Sequence, residues 1–459
     1  MGEEWFHVKK RIKSISPVQL IVLSFAVVIL TGTLLLMLPA VSRSGEHTSL
    51  IDALFTSTSA TCVTGLVVFD TWTHWNIWGQ IVIIALIQVG GLGVITFTTG
   101  FTLLVHRKLA LHNIQLATEN TAGDTIHIAR LIKMILAFTA GCETLGTCIL
   151  MLRFVPQFGV RGVWVALFTA ISAFCNAGFD VLGFLMKDGN LIPYVEDPLV
   201  CLTVGALIVV GGLGFIVVSD IYHSRIVREL HGEKPERLNF HSDMVLLVTA
   251  FLIVSGATLF LLCEYDNTLV HNTFGGKLNA SLFQSISART AGFASVNIAR
   301  ERDITKVITI ILMFIGASPA GTGGGIKTTT FLVLAATVFS VMKGESETVV
   351  MKHRIERTTV YRALTICFAA LLVILITTGV ILVANPEVNG VDALFEATSG
   401  FGTVGLSAGV TQGLCSLSKF FVSMTMFVGR VGPVSLGLAL TRHQLKRGVI
   451  LPEGKLVVG

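Results

Sequence analysis

Four glycines, Gly65, Gly178, Gly292 and Gly405, follow one another at intervals of 113, 114 and 113 residues. Each closes a stretch of one kind: "ALFTSTSATCVTGL" (53–66), "ALFTAISAFCNAGF" (166–179), "SLFQSISARTAGF" (281–293) and "ALFEATSGFGTVGL" (393–406). A Leu-Phe pair comes first, then small hydroxyl residues, then the glycine with a Leu or Phe behind it. The chemistry these residues suit is coordination by the backbone. Carbonyls turned successively toward one axis can replace the hydration shell of a cation. Turning them demands backbone angles that glycine adopts at no steric cost. Four copies at so even a period make the chain a fourfold repeat.

Such turns need helices to hold them. The chain has 459 residues, 53% hydrophobic and only 13% charged, with a mean hydropathy of +0.78. A soluble domain carries about 25% charged residues. Val18–Leu38 holds no charge and can cross a hydrocarbon layer of roughly 30 Å. The reading is an all-α polytopic membrane protein. Each repeat has a long apolar helix (17–38, 131–152, 243–263, 363–384), a short helix of about 11 residues that cannot span, the glycine turn, and a second apolar helix (77–105, 199–219, 304–341, 417–440). This predicts eight spanning helices and four half-crossing ones around a central ion pore. Repeat 1 covers 17–105, repeat 2 128–220, repeat 3 241–342 with an intramembrane loop at 316–328, repeat 4 359–442, and a tail follows at 443–459. Asp52, Asn279 and Asp392, near the starts of three short helices, suit the role of caps. Those helices point their negative ends at the turns.

Sidedness follows from basic residues. The segments up to Ser16, 106–130, 221–241, 343–362 and 441–459 hold 20 of the 33 Lys and Arg, which places them, and both termini, in the cytoplasm. The glycine turns then enter from outside. The apolar run after "HVKKRIKS" is too long for a signal peptide. Eight cysteines show no CxxC spacing, and the twelve histidines, His106 and His112 among them, show no ligand spacing, so no metal or disulfide framework is indicated. No Ser/His/Asp arrangement suggests hydrolysis, and no nucleic-acid partner or enzyme activity is expected.

The motifs "LIQVGGLGVITF" (86–97), "SARTAGF" (287–293), "GGGIKTTTF" (323–331) and "MFVGRVGP" (426–433) carry a specific likeness. The sequence resembles the superfamily of Trk, Ktr and HKT potassium transporters, most closely the Ktr membrane subunit, from Pro17 to Gly459. "TCVTGL" is also similar to a potassium-channel filter in which one glycine survives. The resemblance implies a K⁺-selective pore in a bacterial cell membrane, often sodium-dependent, with K⁺ as cargo, Na⁺ as second ion and no organic cofactor in this chain. It implies a homodimer seated on a cytosolic ring of nucleotide-binding RCK-type subunits, the tail "LPEGKLVVG" lying at the dimer contact. It maps the filter, where K⁺ binds, onto Cys62, Val63, Thr64 and Gly65; Cys175, Asn176, Ala177 and Gly178; Arg289, Thr290, Ala291 and Gly292; and Gly402, Thr403, Val404 and Gly405. Two departures stand out: Cys62 and Cys175 replace the more usual Thr or Asn, and repeat 3 has one residue fewer between its Ser and its Gly.

The resemblance also gives a role to "IGASPAGTGGGIKTTTF" (315–331), a polar, glycine-rich stretch inside an apolar helix. Non-helical backbone at that depth must border water or protein. The family implies a gate, here Gly316, Ala317, Ser318, Gly321, Thr322, Gly323, Gly324, Gly325 and Lys327, with Arg430 below the filter. A kinked packing helix is the plainer reading, and for Arg430 so is a structural arginine capping carbonyls. Asp70 and Asp180 follow the first two turns and would concentrate cations at an outer mouth, or serve as ordinary loop carboxylates. Glu143 and Glu396 are intramembrane carboxylates, fit for an ion relay or for structural hydrogen bonds. The two "GGLG" copies (90–93, 211–214) lie in apolar helices and suit close packing. "GTGGGIKT" is no phosphate loop, because Ile326 separates glycine from lysine. The basic loops 107–130, 225–237 and 343–362 suit anionic lipid headgroups or a docked ring. An alternating-access cation symporter with a midplane site is the alternative function. Such carriers show two inverted repeats, whereas this chain shows four parallel ones.

Overall fold

The computed structural model describes residues 17–93, 121–230, 232–234 and 236–440. The basic N-terminal stretch, residues 94–105 of the first repeat, His106, His112, most of the 107–130 loop and the tail with "LPEGKLVVG" lie outside the described residues. Repeat 1 contains α1 (Pro17–Leu36), α2 (Leu50–Thr61) and α3 (Ile77–Gly93). Repeat 2 contains α4 (Thr121–Phe158), α5 (Val160–Phe174), α6 (Pro198–Gly212) and α7 (Phe215–Ile221). Repeat 3 contains α8 (Phe240–Glu264), α9 (Phe274–Ser287), α10 (Asp303–Phe314) and α11 (Thr328–Met342). A small antiparallel hairpin of β1 (Val349–Val350) and β2 (His353–Arg354) follows. Repeat 4 contains α12 (Arg357–Ala384), α13 (Gly390–Gly402), α14 (Ser416–Val431) and α15 (Pro433–Leu440).

α1, α4, α8 and α12 form the outer wall. Leu23, Leu34, Phe251, Leu262, Phe368 and Val383 on them are exposed, as side chains facing lipid must be. Inside this wall stand the short helices α2, α5, α9 and α13, of 12, 15, 14 and 13 residues. At 1.5 Å per residue none exceeds about 23 Å, so none crosses the bilayer. The Phe of each Leu-Phe pair, Phe55, Phe168, Phe283 and Phe395, is buried. Each such burial contributes about 1.5–3 kcal/mol of transfer energy in a soluble core. In lipid the gain comes instead from packing contacts.

The expected caps are corrected. Ser49 and Thr273 cap α2 and α9, accepting from the N–H of Asp52 and Gly276. Asn279 donates to the Val195 carbonyl. Asp52 and Asp392 instead hold ion pairs across repeats. Lys306 of α10 meets Asp392 of α13, and Lys419 of α14 meets Asp52 of α2, both at 2.7 Å. Removing one partner of such a partly buried pair costs up to about 3 kcal/mol, so these links pin the short helices to the neighbouring repeat.

The second helices differ most from expectation. Among the described residues four helices are long and apolar enough to cross a membrane, or five if the bent pair α6–α7 counts as one. The second helices of repeats 2 and 4 are broken as well as that of repeat 3, and the second helix of repeat 1 is described only as far as Gly93. α6 and α7 meet at 95°, and α14 gives way to α15 at Gly432. A glycine with positive φ stands at or beside each of these breaks: Gly214, Gly325 and Gly432. The second "GGLG" copy therefore does not sit inside a continuous helix. It is the bend of α6–α7, and the first copy ends the described part of α3.

Candidate functional site: four glycine turns and the loop beneath them

Each short helix ends three to five residues before its glycine, and the backbone then alternates in hand. The residue two before each glycine has positive φ: Val63 at 57°, Asn176 at 60°, Thr290 at 74° and Thr403 at 49°. The glycines follow at 95°, 68°, 77° and 96°. Left-handed backbone costs an ordinary residue about 1–2 kcal/mol, so eight such positions in one place are a built feature. The missing residue of repeat 3 leaves this alternation intact.

The four turns close on one another. A Cβ placed on Gly65 would fall closer than 3.0 Å to the carbonyl oxygen of Ala177; from Gly178 it would meet that of Ala291, from Gly292 that of Val404, and from Gly405 that of Thr64. Each glycine thus abuts the carbonyl preceding the next glycine, and the fourth abuts the first. The result is a ring in the order 1-2-3-4. Serines hold it in two ways. Ser59 and Ser399 accept at Oγ from the N–H of Gly65 and Gly405, both at 3.1 Å. Ser172 and Ser287 donate to the carbonyls of Phe179 and Phe293.

On one side all four glycines line a vestibule of about 370 Å³. Asp70 and Asp180 line it, as does Asp188, which the sequence did not single out. Asp70 is tied down, accepting from the N–H of Thr73 at 2.7 Å and of Asp188 at 3.3 Å. Asp180 accepts from the Leu182 N–H. Burial, then the charges of Asp70 and Asp188, push the Asp180 carboxyl up to about 7, against the pull of its Leu182 bond.

On the other side, three of the second helices pass directly under the short helices. A Cβ on Gly90, Gly211 or Gly429 would collide with the last carbonyls of α2, α5 or α13, those of Thr61, Phe174 and Phe401. In repeat 3 the helix opens into the stretch from Ile315 to Lys327, which lies under the ring. Gly323 packs against the Thr290 hydroxyl and Gly324 against that of Thr403; the Gly324 N–H also donates to Thr403 Oγ1 at 3.0 Å. The loop is tied at its base by Gly316 N–H to the Ile326 carbonyl at 2.8 Å. It is tied to the bend of α6–α7 by Ser318 N–H to Gly212 O, Thr322 N–H to Gly211 O and Phe215 N–H to Ala320 O, at 3.1–3.2 Å. Gly321 packs there too, against Gly212, and Ala317 and Gly325 are part of the same fold-back. Two cations hold its carbonyls. Lys327 Nζ donates to Gly323 O at 2.6 Å, and Arg430 bridges Thr322 O of the loop and Gly90 O of α3.

The structure separates the remaining candidates. Cys62 and Cys175 cap α2 and α5 and are fully buried. Arg289, also buried, lines a small void with Thr249, Gly212 and Ala317 away from the vestibule. Glu396 of α13 accepts from Ser407 Oγ, Thr411 Oγ1 and the Ala408 N–H, clamping the segment just past Gly405. Sequence reasoning missed Lys306 and Lys419, although each stands 14 residues past its turn glycine, a coincidence that could have found them. It also missed Gln88, whose partners come from another repeat.

The sequence matches the TrkH family, described as "Cation transport protein", over residues 2–447. The chain belongs to the TrkH family. It is 37% identical to the potassium/sodium uptake protein NtpJ of Enterococcus hirae, over 98% of this chain and 99% of that protein. It is 37% identical to the Ktr system potassium uptake protein B of Bacillus subtilis, over 97% of each chain. The corresponding protein of Vibrio alginolyticus is 38% identical, over 93% of this chain and 91% of that one. The crystal structure of the potassium transporter TrkH from Vibrio parahaemolyticus matches the fold with a TM-score of 0.71 at 17% identity, covering 92% of this chain and 83% of that one. This TrkH-family chain is a multi-pass membrane transport protein, not an enzyme.

Proposed function

We propose that this TrkH-family chain is the pore of a K⁺-selective, channel-like uptake system in a bacterial cell membrane. One observation carries the reading. Four turns of alternating backbone hand close into a ring, each glycine against the carbonyl before the next, as an ion-dehydrating filter requires. The names of the relatives, potassium/sodium uptake and potassium uptake, point to the same cargo. The vestibule faces outward and both termini face the cytoplasm, as the positive-inside rule applied to the basic segments of the sequence requires. Asp70, Asp180 and Asp188 raise the local cation concentration there.

The loop under the ring is the gate. Held by Lys327 and Arg430, it blocks the exit from the filter; freed, it opens it. α11 runs from the loop to the hairpin of β1 and β2, so a cytosolic ring of nucleotide-binding subunits docked on 343–362 would act on the loop through that helix. The working unit is a homodimer on such a ring, and uptake depends on sodium. Purified protein in vesicles, assayed for K⁺, Rb⁺ and Na⁺ uptake with and without added Na⁺, tests the reading. It predicts K⁺ and Rb⁺ uptake well above Na⁺ uptake, and faster K⁺ uptake when Na⁺ is present. Equal uptake of all three ions would overturn the selectivity.

A further inference from the structure

Glu143 stands on α4 at membrane depth and is buried. A carboxylate there costs roughly 3 kcal/mol to insert, so its partners matter. Both of its oxygens accept from one group, Nε2 of Gln88 on α3, at 3.1 and 3.2 Å. The other end of that amide, Oε1 of Gln88, accepts from the thiol of Cys175 at 3.6 Å. Cys175 Sγ also lies 3.9 Å from Glu143 Oε1, so the one thiol proton has two acceptors side by side. Gly91 of α3 closes the other flank of Cys175, since a Cβ there would come closer than 3.0 Å to its Sγ.

Cys175 is the residue that ends α5 and opens the second glycine turn, and Asn176 after it already has positive φ. Helices of two repeats therefore grip one corner of the ring through a polar chain of carboxylate, amide and thiol. Among the described residues the carboxylate of this arrangement belongs to repeat 2 alone. At the same distance, 25 residues, before the Phe of the Leu-Phe pair the other repeats carry Leu30, Thr258 and Ala370, none of them ionisable.

We propose that Glu143 and Gln88 are positioning residues that fix the second turn through Cys175 and thereby set the preference for K⁺ over Na⁺. The proposal rests on the ring being the selectivity filter. Its test is the ratio of K⁺ to Na⁺ uptake in vesicles, together with the difference in melting temperature of the purified protein between KCl and NaCl. Glu143→Leu and Gln88→Leu each lower the uptake ratio about fivefold, the value of one buried hydrogen bond. The double variant falls no further than either single one, because the two act as one unit. Glu143→Gln keeps an acceptor for Gln88 and restores most of the ratio. A variant too slow for uptake still reports through its melting temperatures, where the gap between KCl and NaCl shrinks. A merely structural role lowers both melting temperatures alike and leaves the gap and the ratio at wild-type values, and that overturns the proposal. If the wild-type protein itself fails to distinguish the ions, the filter reading falls and the proposal falls with it.

Discussion

The ring of glycine turns and the breaks in the helices beneath it lie in direct contact, yet they obey different symmetries. The ring is fourfold: the same two positions have positive φ in every repeat, and each glycine abuts the next repeat's carbonyl. The breaks are threefold plus one. Gly90, Gly211 and Gly429 each let a second helix pass close under a short helix, while repeat 3 inserts a loop across the middle. An ion on the axis is held equally from all sides only if the four turns match. A gate needs no such equality and has one moving part. On the proposed reading, selectivity lies in the ring and flux in the loop.

The largest effect comes from breaking the ring. Gly65→Ser places a side chain at φ +95° against the Ala177 carbonyl, at a backbone cost of about 1–2 kcal/mol before any clash. It lowers the ratio of K⁺ to Na⁺ uptake about tenfold. Gly379→Ser, on α12 with open space around it, leaves the ratio unchanged. The same uptake assay reads both.

Next comes release of the loop. Lys327→Ala frees the Gly323 carbonyl and Arg430→Ala frees that of Thr322. Hydrogen bonds from charged donors are worth about 1.5–3 kcal/mol, so either change raises resting K⁺ flux by about tenfold or more. The uptake ratio stays near wild type. A fall in flux would contradict the gate. Thr403→Val removes only the bond to the Gly324 N–H and raises flux by about threefold, the effect of one neutral hydrogen bond. It touches ring and loop together, so any accompanying loss of selectivity measures how tightly the two regions are coupled.

Much of this contrast is legible in the sequence. The glycine period announces the ring, because backbone that must turn the same way four times leaves the same residue four times. The loop is legible because polar and glycine residues interrupt an apolar helix for more than a turn. The other breaks are not, since "GGLG" (211–214) keeps the hydropathy of a continuous span, and only packing under Phe174 decides that the chain bends there. Asp52 and Asp392 depart from the sequence expectation for a related reason. Local rules make an acidic residue near a helix start a cap, but their partners Lys419 and Lys306 lie 367 and 86 residues away. Gln88 and Glu143 meet only once two repeats are packed.

The smallest predicted effect concerns the vestibule. With its carboxyl pushed up to about 7, Asp180 is charged at pH 8 and mostly neutral at pH 6. Protonation removes negative potential from the mouth, so K⁺ uptake at low K⁺ falls as pH drops through 7, by about twofold at low ionic strength. The loss shrinks in high salt. Asp180→Asn flattens this step, leaving uptake at pH 8 near the wild-type value at pH 6.

The division of labour itself is tested by a loop deletion. A variant lacking Pro319–Gly321 loses the tether of Ala320 to α7 but keeps Gly323 and Gly324 against Thr290 and Thr403. Uptake of K⁺ and Na⁺ is measured in vesicles at matched protein content, without any added partner. The account predicts faster K⁺ uptake than wild type at an unchanged K⁺ to Na⁺ ratio. A folded variant that conducts at the resting level, or one whose ratio collapses as flux rises, would contradict it.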